Sequence, residues 1–320
     1  QTCALPILGF GGAGACAAIE AADGGATVLM FEAASASGGS TALSSAEIYL
    51  GGGTRIQRAV GYDDSVDDVY GYLMASNEPQ ADAVKVRAYA EGGAEHLEWL
   101  ISLGVPFKES ELKERAMMAL TDDCLLYTGS EKAWPYVDEF KPAPRGHNLE
   151  VEGDNGGPLL IKILTEQVAA RGVEVHFESR ALRLIVDRFG PGARVIGLVV
   201  REDMEEHYYR ASKGVVLCAG GFIMNETMVA QYCPQFLAGK TFIGNANDTG
   251  SGIQMAQCVG AKAINMHEGF LSVPYYPPAS LTHGIFVNGQ GQRFINEDAY
   301  HGRIGSYLAQ QTYPVYLIVG

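Results

Sequence analysis

Apolar runs and glycine breaks alternate over the first 32 residues. "CALPIL" (3–8) predicts a strand, "GACAAIEAA" (14–22) a helix and "TVLMFE" (27–32) a second strand, with a glycine turn at 9–14. Pro6 is awkward in this scheme, because a central parallel strand needs its backbone N–H. "QTCALPIL" also lacks the Val/Ile-rich run usual ahead of such a turn, so the first few residues are expected to be foreign to the fold. "VRAYAEGGAEHLEWLISLGV" (86–105) has helical periodicity, with Leu97, Leu100 and Ile101 on one face and Gly104 as a stop. "GPLLIKILTEQVAARG" (157–172) predicts another helix, ended by Gly172.

The period then changes from that of a helix to that of a strand. Strands are expected at 173–177, 181–186, 194–200, 206–211 and 214–221, with "DRFGPGA" (187–193) as a turn. This is a β-meander placed between a helix and a final apolar strand. "NETMVAQY" (225–232) starts with an Asn cap and an early Glu, and "DTGSGIQMAQCVGA" (248–261) predicts a capped helix ending at Gly260. "FLSVPYYPPASLTHG" (270–284) is aromatic and proline-rich, and Tyr275 to Pro278 suit either the lining of a flat apolar site or a rigid loop. "GIFVNGQGQRFIN" (284–296) predicts a hairpin, and "PVYLIVG" (314–320) a strand that ends abruptly enough to suggest truncation.

Within the first unit, "GFGGAG" fits G-x-G-x-x-G at Gly9, Gly11 and Gly14. The first glycine allows the tight turn, the second lets backbone approach a pyrophosphate, and the third lets the helix pack on the sheet. The helix N-terminus then offers unpaired N–H groups to phosphate. Glu32 closes the second strand 18 residues after Gly14, where a carboxylate can bind ribose hydroxyls. Strand, turn, helix, strand and acid in register predict a dinucleotide site. "SASGGSTALSS" (35–45) and "GVVLCAGGF" (214–222) favour FAD over NAD, since each brings small residues close to an extended cofactor.

Composition narrows the function classes. Glycine supplies 40 of 320 residues, above average usage of roughly 7%. A net charge of −14 without a Lys/Arg cluster speaks against nucleic acid or anionic lipid as partner. Six cysteines form no CxxC pair and no zinc spacing with histidine, so no metal site is expected and a reducing cytoplasm is. Residues 1–19 are uncharged, but four glycines, a proline and the lack of a basic start speak against reading that stretch as a signal peptide or membrane span.

The chain resembles the flavoprotein group of fumarate reductases and 3-ketosteroid dehydrogenases. Within it the chain is most similar to the 3-ketosteroid Δ4-(5α)-dehydrogenases, through "GGSTALSSAEIYLGGGTRIQ" (38–57), "GVPFKES" (104–110), "KPAPRGH" (141–147), "GIFVNGQGQRF" (284–294) and "EDAYHGRIG" (297–305). The resemblance implies an α/β fold: a Rossmann-like FAD-binding domain with a β-meander over 1–264, and the start of an α+β substrate-capping domain over 265–320. It implies removal of hydrogens from C4 and C5 of a 3-ketosteroid, with hydride to flavin N5, a proton lost beside the C3 ketone and an unidentified electron acceptor. It places Gly11, Ala13, Glu32, Gly39, Ser40, Ala42, Leu43, Ser44, Ser45, Ala181, Ala219, Gly220 and Asp248 along FAD, and makes Tyr300 catalytic. Family chains continue past residue 320 and draw a second tyrosine and a serine from that part, so tight FAD binding and turnover by this chain alone are not expected. The alternatives are a fumarate reductase-like enzyme, in which Arg303 delivers the proton and Tyr300 only packs, or an inactive fragment with a partial nucleotide site. Outside that role Arg303 is expected to pair with Glu297 or Asp298, and Arg145 and His147 have no assigned mechanism.

Overall fold

The structure, a computed structural model, describes residues 2–3, 5–190, 192–239, 241–273 and 275–320. It forms two compact units, residues 1–44 with 157–267 and residues 45–156 with 268–320. Residues 45–156, grouped with the cofactor domain on sequence, thus lie in the same unit as 268–320.

The first unit is built on a four-stranded parallel sheet in the order Val216–Leu217, Leu5–Leu8, Val28–Phe31, Glu174–His176. The two central strands are buried almost without alternation, as expected of a parallel sheet covered on both faces. Residues 5–8 therefore belong to the fold, contrary to the expectation that they are foreign to it. Pro6 is tolerated because of register. Leu5 and Gly9 donate to the carbonyls of Thr27 and Phe31, so the Pro6 nitrogen faces the opposite side. There the pairing with Val216–Leu217 begins only at Ile7. Gly12–Asp23 is the helix between the first two strands.

Arg180–Val186, Val195–Glu202 and Glu205–Ala211 form the expected antiparallel meander, joined on its edge by Thr2–Cys3. The segment expected as the strand before it, Glu174–His176, pairs instead with Val28–Phe31 in the parallel sheet. Leu8, Leu29, Phe31, Leu198, Val200, Tyr209 and Met255 pack as one cluster, joining sheet and meander.

The second unit contains the helices Val66–Ser76 and Ala83–Ser102 and a three-stranded sheet of Ile48–Tyr49, Gly146–His147 and Leu125–Leu126. Asp82 caps the longer helix by accepting from the amides of Val84 and Lys85, and its Leu97 joins Leu50, Ile56, Cys124 and Leu125 in a core. The expected 284–296 hairpin is only a turn. Ile285–Val287 pairs with Tyr316–Ile318 instead, leaving a single bridge from Val287 to Arg293. The Glu297 carboxylate takes the amide of Phe286, which a second hairpin strand would otherwise have satisfied.

Candidate functional site

In the first unit the strand ends and the glycine turn bound a cavity of about 370 Å³. Gly9 has φ +100°, and a Cβ there would strike the Cys218 carbonyl. A Cβ on Gly14 would strike the carbonyl of Gly9, so that glycine sets the approach of helix to turn and does not line the cavity. Gly11 differs: a Cβ would find nothing of the chain nearer than 3.7 Å, and the space beside it belongs to the cavity. Gly11, Gly12 and Ala13 line it with the first helical turn, whose N–H groups lack carbonyl partners four residues back. Thr41 Oγ1 accepts from the Gly12 amide at 3.0 Å.

Glu32 is 9% exposed and lines the cavity. Its Oε2 accepts from the Phe10 amide at 2.7 Å and its Oε1 from the Ala34 amide at 2.8 Å. The carboxylate is thereby fixed by backbone on both oxygens, and each keeps lone-pair capacity for a hydroxyl. Across the cavity, Asp248 is bonded to the Ser40 hydroxyl, and the Asn245 amide donates to both Ser40 Oγ and Asp248 Oδ2, at 2.9 and 3.0 Å. Gly220, at φ +72°, leaves the space that the Asp248 carboxylate fills. Asp248 is therefore a tie between two cavity walls and not a helix cap. The helix expected from 248 begins at Ser251, with Gly250 at its cap position and no side-chain cap.

Of the residues expected along the cofactor, Gly9, Gly11, Ala13, Glu32, Gly39, Ser40, Ala181, Ala219, Gly220 and Asp248 converge on this cavity. Ala42, Leu43, Ser44 and Ser45 do not line it, and Leu43 is 57% exposed. The Ser44 carbonyl instead accepts from Gly157. Thr41, Arg180 and Asn247 also line the cavity and were not singled out. Arg180 donates to Asn247 Oδ1 at 2.5 Å, a contact across 67 residues that no local pattern announces. The Cys218 thiol beside the turn is pushed up by burial and stays protonated.

In the second unit Tyr300 precedes the helix His301–Leu308 and is 38% exposed. Its amide donates to Ser130 Oγ at 2.9 Å, and its ring lies 4.6 Å from His301 and 5.9 Å from Phe270. Burial first, and the Glu47 carboxylate second, push the phenol up to about 12. A Cβ on Gly302 would press on the rings of Tyr300 and Phe270, and one on Gly305 would strike the Leu271 carbonyl. The two glycines of "HGRIG" let the helix sit against residues 270–271. Arg303 does not pair with Glu297 or Asp298. It donates to the Tyr136 hydroxyl at 2.5 Å and the Ser76 carbonyl at 2.7 Å, while Glu297 takes Arg293 and Asp298 takes Arg115. A separate cavity of about 240 Å³ is lined by Arg115, Tyr127, Glu131, Tyr275 and His301, among others, but not by Tyr300.

Arg145 and His147 have structural partners. Arg145 forms a fully buried two-point pair with Asp64, at 2.7 and 3.1 Å. Gln57 bridges Asp64 and the Pro144 carbonyl. His147 Nδ1 lies 2.9 Å from the Arg145 carbonyl, which only accepts, so Nδ1 carries the proton and Nε2 accepts from the Thr54 hydroxyl. Among the described residues no group of three metal-ligating side chains occurs, and no helix is long and apolar enough to cross a membrane.

The strand–glycine turn–helix cradle, with its small-residue walls and a backbone-fixed acid on the second strand, is that of a flavoprotein dinucleotide domain. The chain belongs to the FAD binding domain family, whose model matches residues 7–312, and FAD is its cofactor. It is similar to 3-ketosteroid-delta4-(5alpha)-dehydrogenase from Rhodococcus jostii RHA1, solved with 4-androstene-3,17-dione. That likeness has 38% identity and a TM-score of 0.91, over 99% of this chain and 66% of that one. NADH:fumarate oxidoreductase from Klebsiella pneumoniae (strain 342) is 28% identical over 299 residues, 91% of this chain and 29% of that protein. The 3-oxo-5-alpha-steroid 4-dehydrogenase of Comamonas testosteroni is 25% identical over 354 residues, 95% of this chain and 64% of that protein. The chain thus spans less than two thirds of each of these relatives.

Proposed function

We propose that the chain supplies the FAD cradle and part of the substrate-capping unit of a dehydrogenase that introduces a 4,5 double bond into 3-ketosteroids. The observation that carries this is the likeness to the steroid-bound Rhodococcus jostii enzyme, at 38% identity over 99% of the chain. In the cradle the first-turn amides of Gly12–Asp23 meet the pyrophosphate, Glu32 the ribose hydroxyls, and Ser40 and Asp248 hold the opposing walls together. Bound FAD supplies the two-electron acceptor. Tyr300 acts on the proton side: a phenol held up at about 12 stays neutral, so it takes the proton lost beside the C3 ketone by passing its own hydroxyl proton on to solvent, as a relay. The electron acceptor is a separate redox partner, and the cytoplasm is the compartment in which free thiols such as Cys124 and Cys233 persist.

A fumarate reductase-like reaction is the second reading, favoured by the Klebsiella relative at 28% identity. It would use Arg303 as proton donor, whereas that guanidinium is engaged by Tyr136 and Ser76. The test mixes the enzyme with a 5α-3-ketosteroid and an artificial electron acceptor and follows enone absorbance. No enone, with fumarate reduced instead, sinks the steroid assignment.

A further inference from the structure

Ser130 is 3% exposed, and its amide, carbonyl and hydroxyl oxygen each take part in a hydrogen bond. Its amide donates to the Tyr72 hydroxyl at 2.7 Å, its carbonyl accepts from Ala133 at 3.0 Å, and its hydroxyl oxygen accepts from the Tyr300 amide at 2.9 Å. The Tyr300 contact spans 170 residues of sequence. Tyr72 is in turn fixed: it is 4% exposed, its ring lies 5.6 Å edge-on from Tyr136, and the Arg145 guanidinium stands 5.1 Å over its face. Arg145 is locked to Asp64. The segment 128–136 is thus anchored, through Ser130 and Tyr72, beside the buried Arg145–Asp64 pair. It grips the start of the His301–Leu308 helix twice, at Tyr300 through Ser130 and at Arg303 through Tyr136.

The two grips differ in what they control. The Arg303 contact holds the first turn of the helix. The Ser130 contact holds the amide of the residue whose side chain is at issue, and Tyr300 has no side-chain cap of its own to fix its backbone. We propose that Ser130 is the positioning residue for Tyr300: by accepting its amide it sets where the phenol stands relative to Glu47 and the substrate. This rests on the reading of Tyr300 as the proton-side residue. A buried hydroxyl bonded to an amide is the kind of support that keeps a reacting group within the sub-ångström tolerance catalysis needs, where a displacement of about 1 Å costs on the order of 100-fold.

The test compares Ser130→Ala and Ser130→Thr with the parent enzyme, each with and without Tyr300→Phe. The first readout is the tyrosinate absorbance difference between each protein and its Tyr300→Phe partner, which isolates the titration of the Tyr300 phenol without needing turnover. Ser130→Ala is expected to move that titration from about 12 down toward the ordinary 10, and Ser130→Thr, which keeps the hydroxyl, to restore it. The second readout is steady-state kinetics: kcat falls roughly 10- to 100-fold in Ser130→Ala with KM within about twofold, and Ser130→Ala adds no further loss in the Tyr300→Phe background. An unchanged titration in Ser130→Ala overturns the proposal. A shifted titration with unchanged kcat keeps Ser130 as what places the phenol and instead removes Tyr300 from the chemistry, so the two failures are distinguishable.

Discussion

Burial drives Glu47 and His147, both in the second unit, in directions that oppose each other in pH. Burial raises Glu47 from 4.5 to about 7, with the nearby Glu131 carboxylate adding to the shift and a hydrogen bond with Thr128 working against it. The folded state then holds that proton more tightly than the unfolded chain. Its stability contribution is fully present below 4.5 and is lost as pH rises through about 7, by roughly 3 kcal/mol. Burial depresses His147 from 6.5 to about 4, so its contribution is full above 6.5 and is lost as pH falls toward 4 by a similar amount, roughly 3 kcal/mol. Between 4.5 and 6.5 the two slopes cancel in large part. Glu47→Gln should uncover a stability that rises with pH through this window, and His147→Gln one that falls; urea midpoints at stepped pH read both. Parallel pH profiles in the two variants would show that neither group titrates in this way. Asp64→Asn is the companion change: it leaves Arg145 buried with its carboxylate gone, and should cost about 3–5 kcal/mol in the same urea measurement. None of this is legible locally. Arg145 and Asp64 are 81 residues apart and His147 and Thr54 are 93 apart, so "KPAPRGH" reads as a family mark without a mechanism. Gly9, Gly11, Gly14 and Glu32 were legible because strand, turn and helix impose their spacing within one continuous segment.

At the scale of elements, sequence patterns succeeded where an element's own residues decide its form and failed where a distant partner decides. The Ala83–Ser102 helix and the Asn225-capped helix depend on local periodicity and caps, and both formed. The hairpin at 284–296 depends on what pairs with Ile285–Val287, and Tyr316–Ile318 took that place. The meander's tightest turn was missed for another reason. Asp203 and Met204 join Val195–Glu202 to Glu205–Ala211 as a two-residue loop, with φ +47° and +67°. This loop geometry normally selects Asn or Asp followed by Gly, and Met does not announce it. Met204 is 87% exposed, so its side chain contributes little packing against the strain. Met204→Gly should therefore stabilise the protein by about 1 kcal/mol, seen as a higher denaturant midpoint at unchanged slope. An equal or lower midpoint would mean the methionine contributes packing that outweighs the backbone strain. In the glycine turn the sign reverses. Gly14→Ala puts a methyl into the Gly9 carbonyl, and the turn has to open to admit it. Loss of flavin on gel filtration is the expected result, with a stability cost of about 1–3 kcal/mol; flavin retained at the parent level would separate this glycine from cofactor binding.

For the whole molecule, connectivity makes the two units separately observable. The chain passes between them after residues 44, 156 and 267, so residues 45–156 form an excursion whose ends meet where the Gly157 amide donates to the Ser44 carbonyl at 3.0 Å. Each unit has its own apolar cluster, around Phe31 in one and Leu97 in the other. Both tryptophans, Trp99 and Trp134, fall within 45–156, and the cofactor cradle lies wholly in the first unit. Tryptophan fluorescence therefore reports one unit and flavin fluorescence the other, with no label added. Trp99, stacked 5.6 Å from His96 on the Ala83–Ser102 helix, is the more informative probe, because Trp134 is already 71% exposed. Free FAD at a hundred times its dissociation constant should stabilise the first unit by about 2.7 kcal/mol. That would raise the flavin-release midpoint more than the tryptophan midpoint. Asp64→Asn should do the reverse, lowering the tryptophan transition by the loss of its buried ion pair while flavin release moves less. If the two signals shift together in both experiments, the units unfold as one cooperative body.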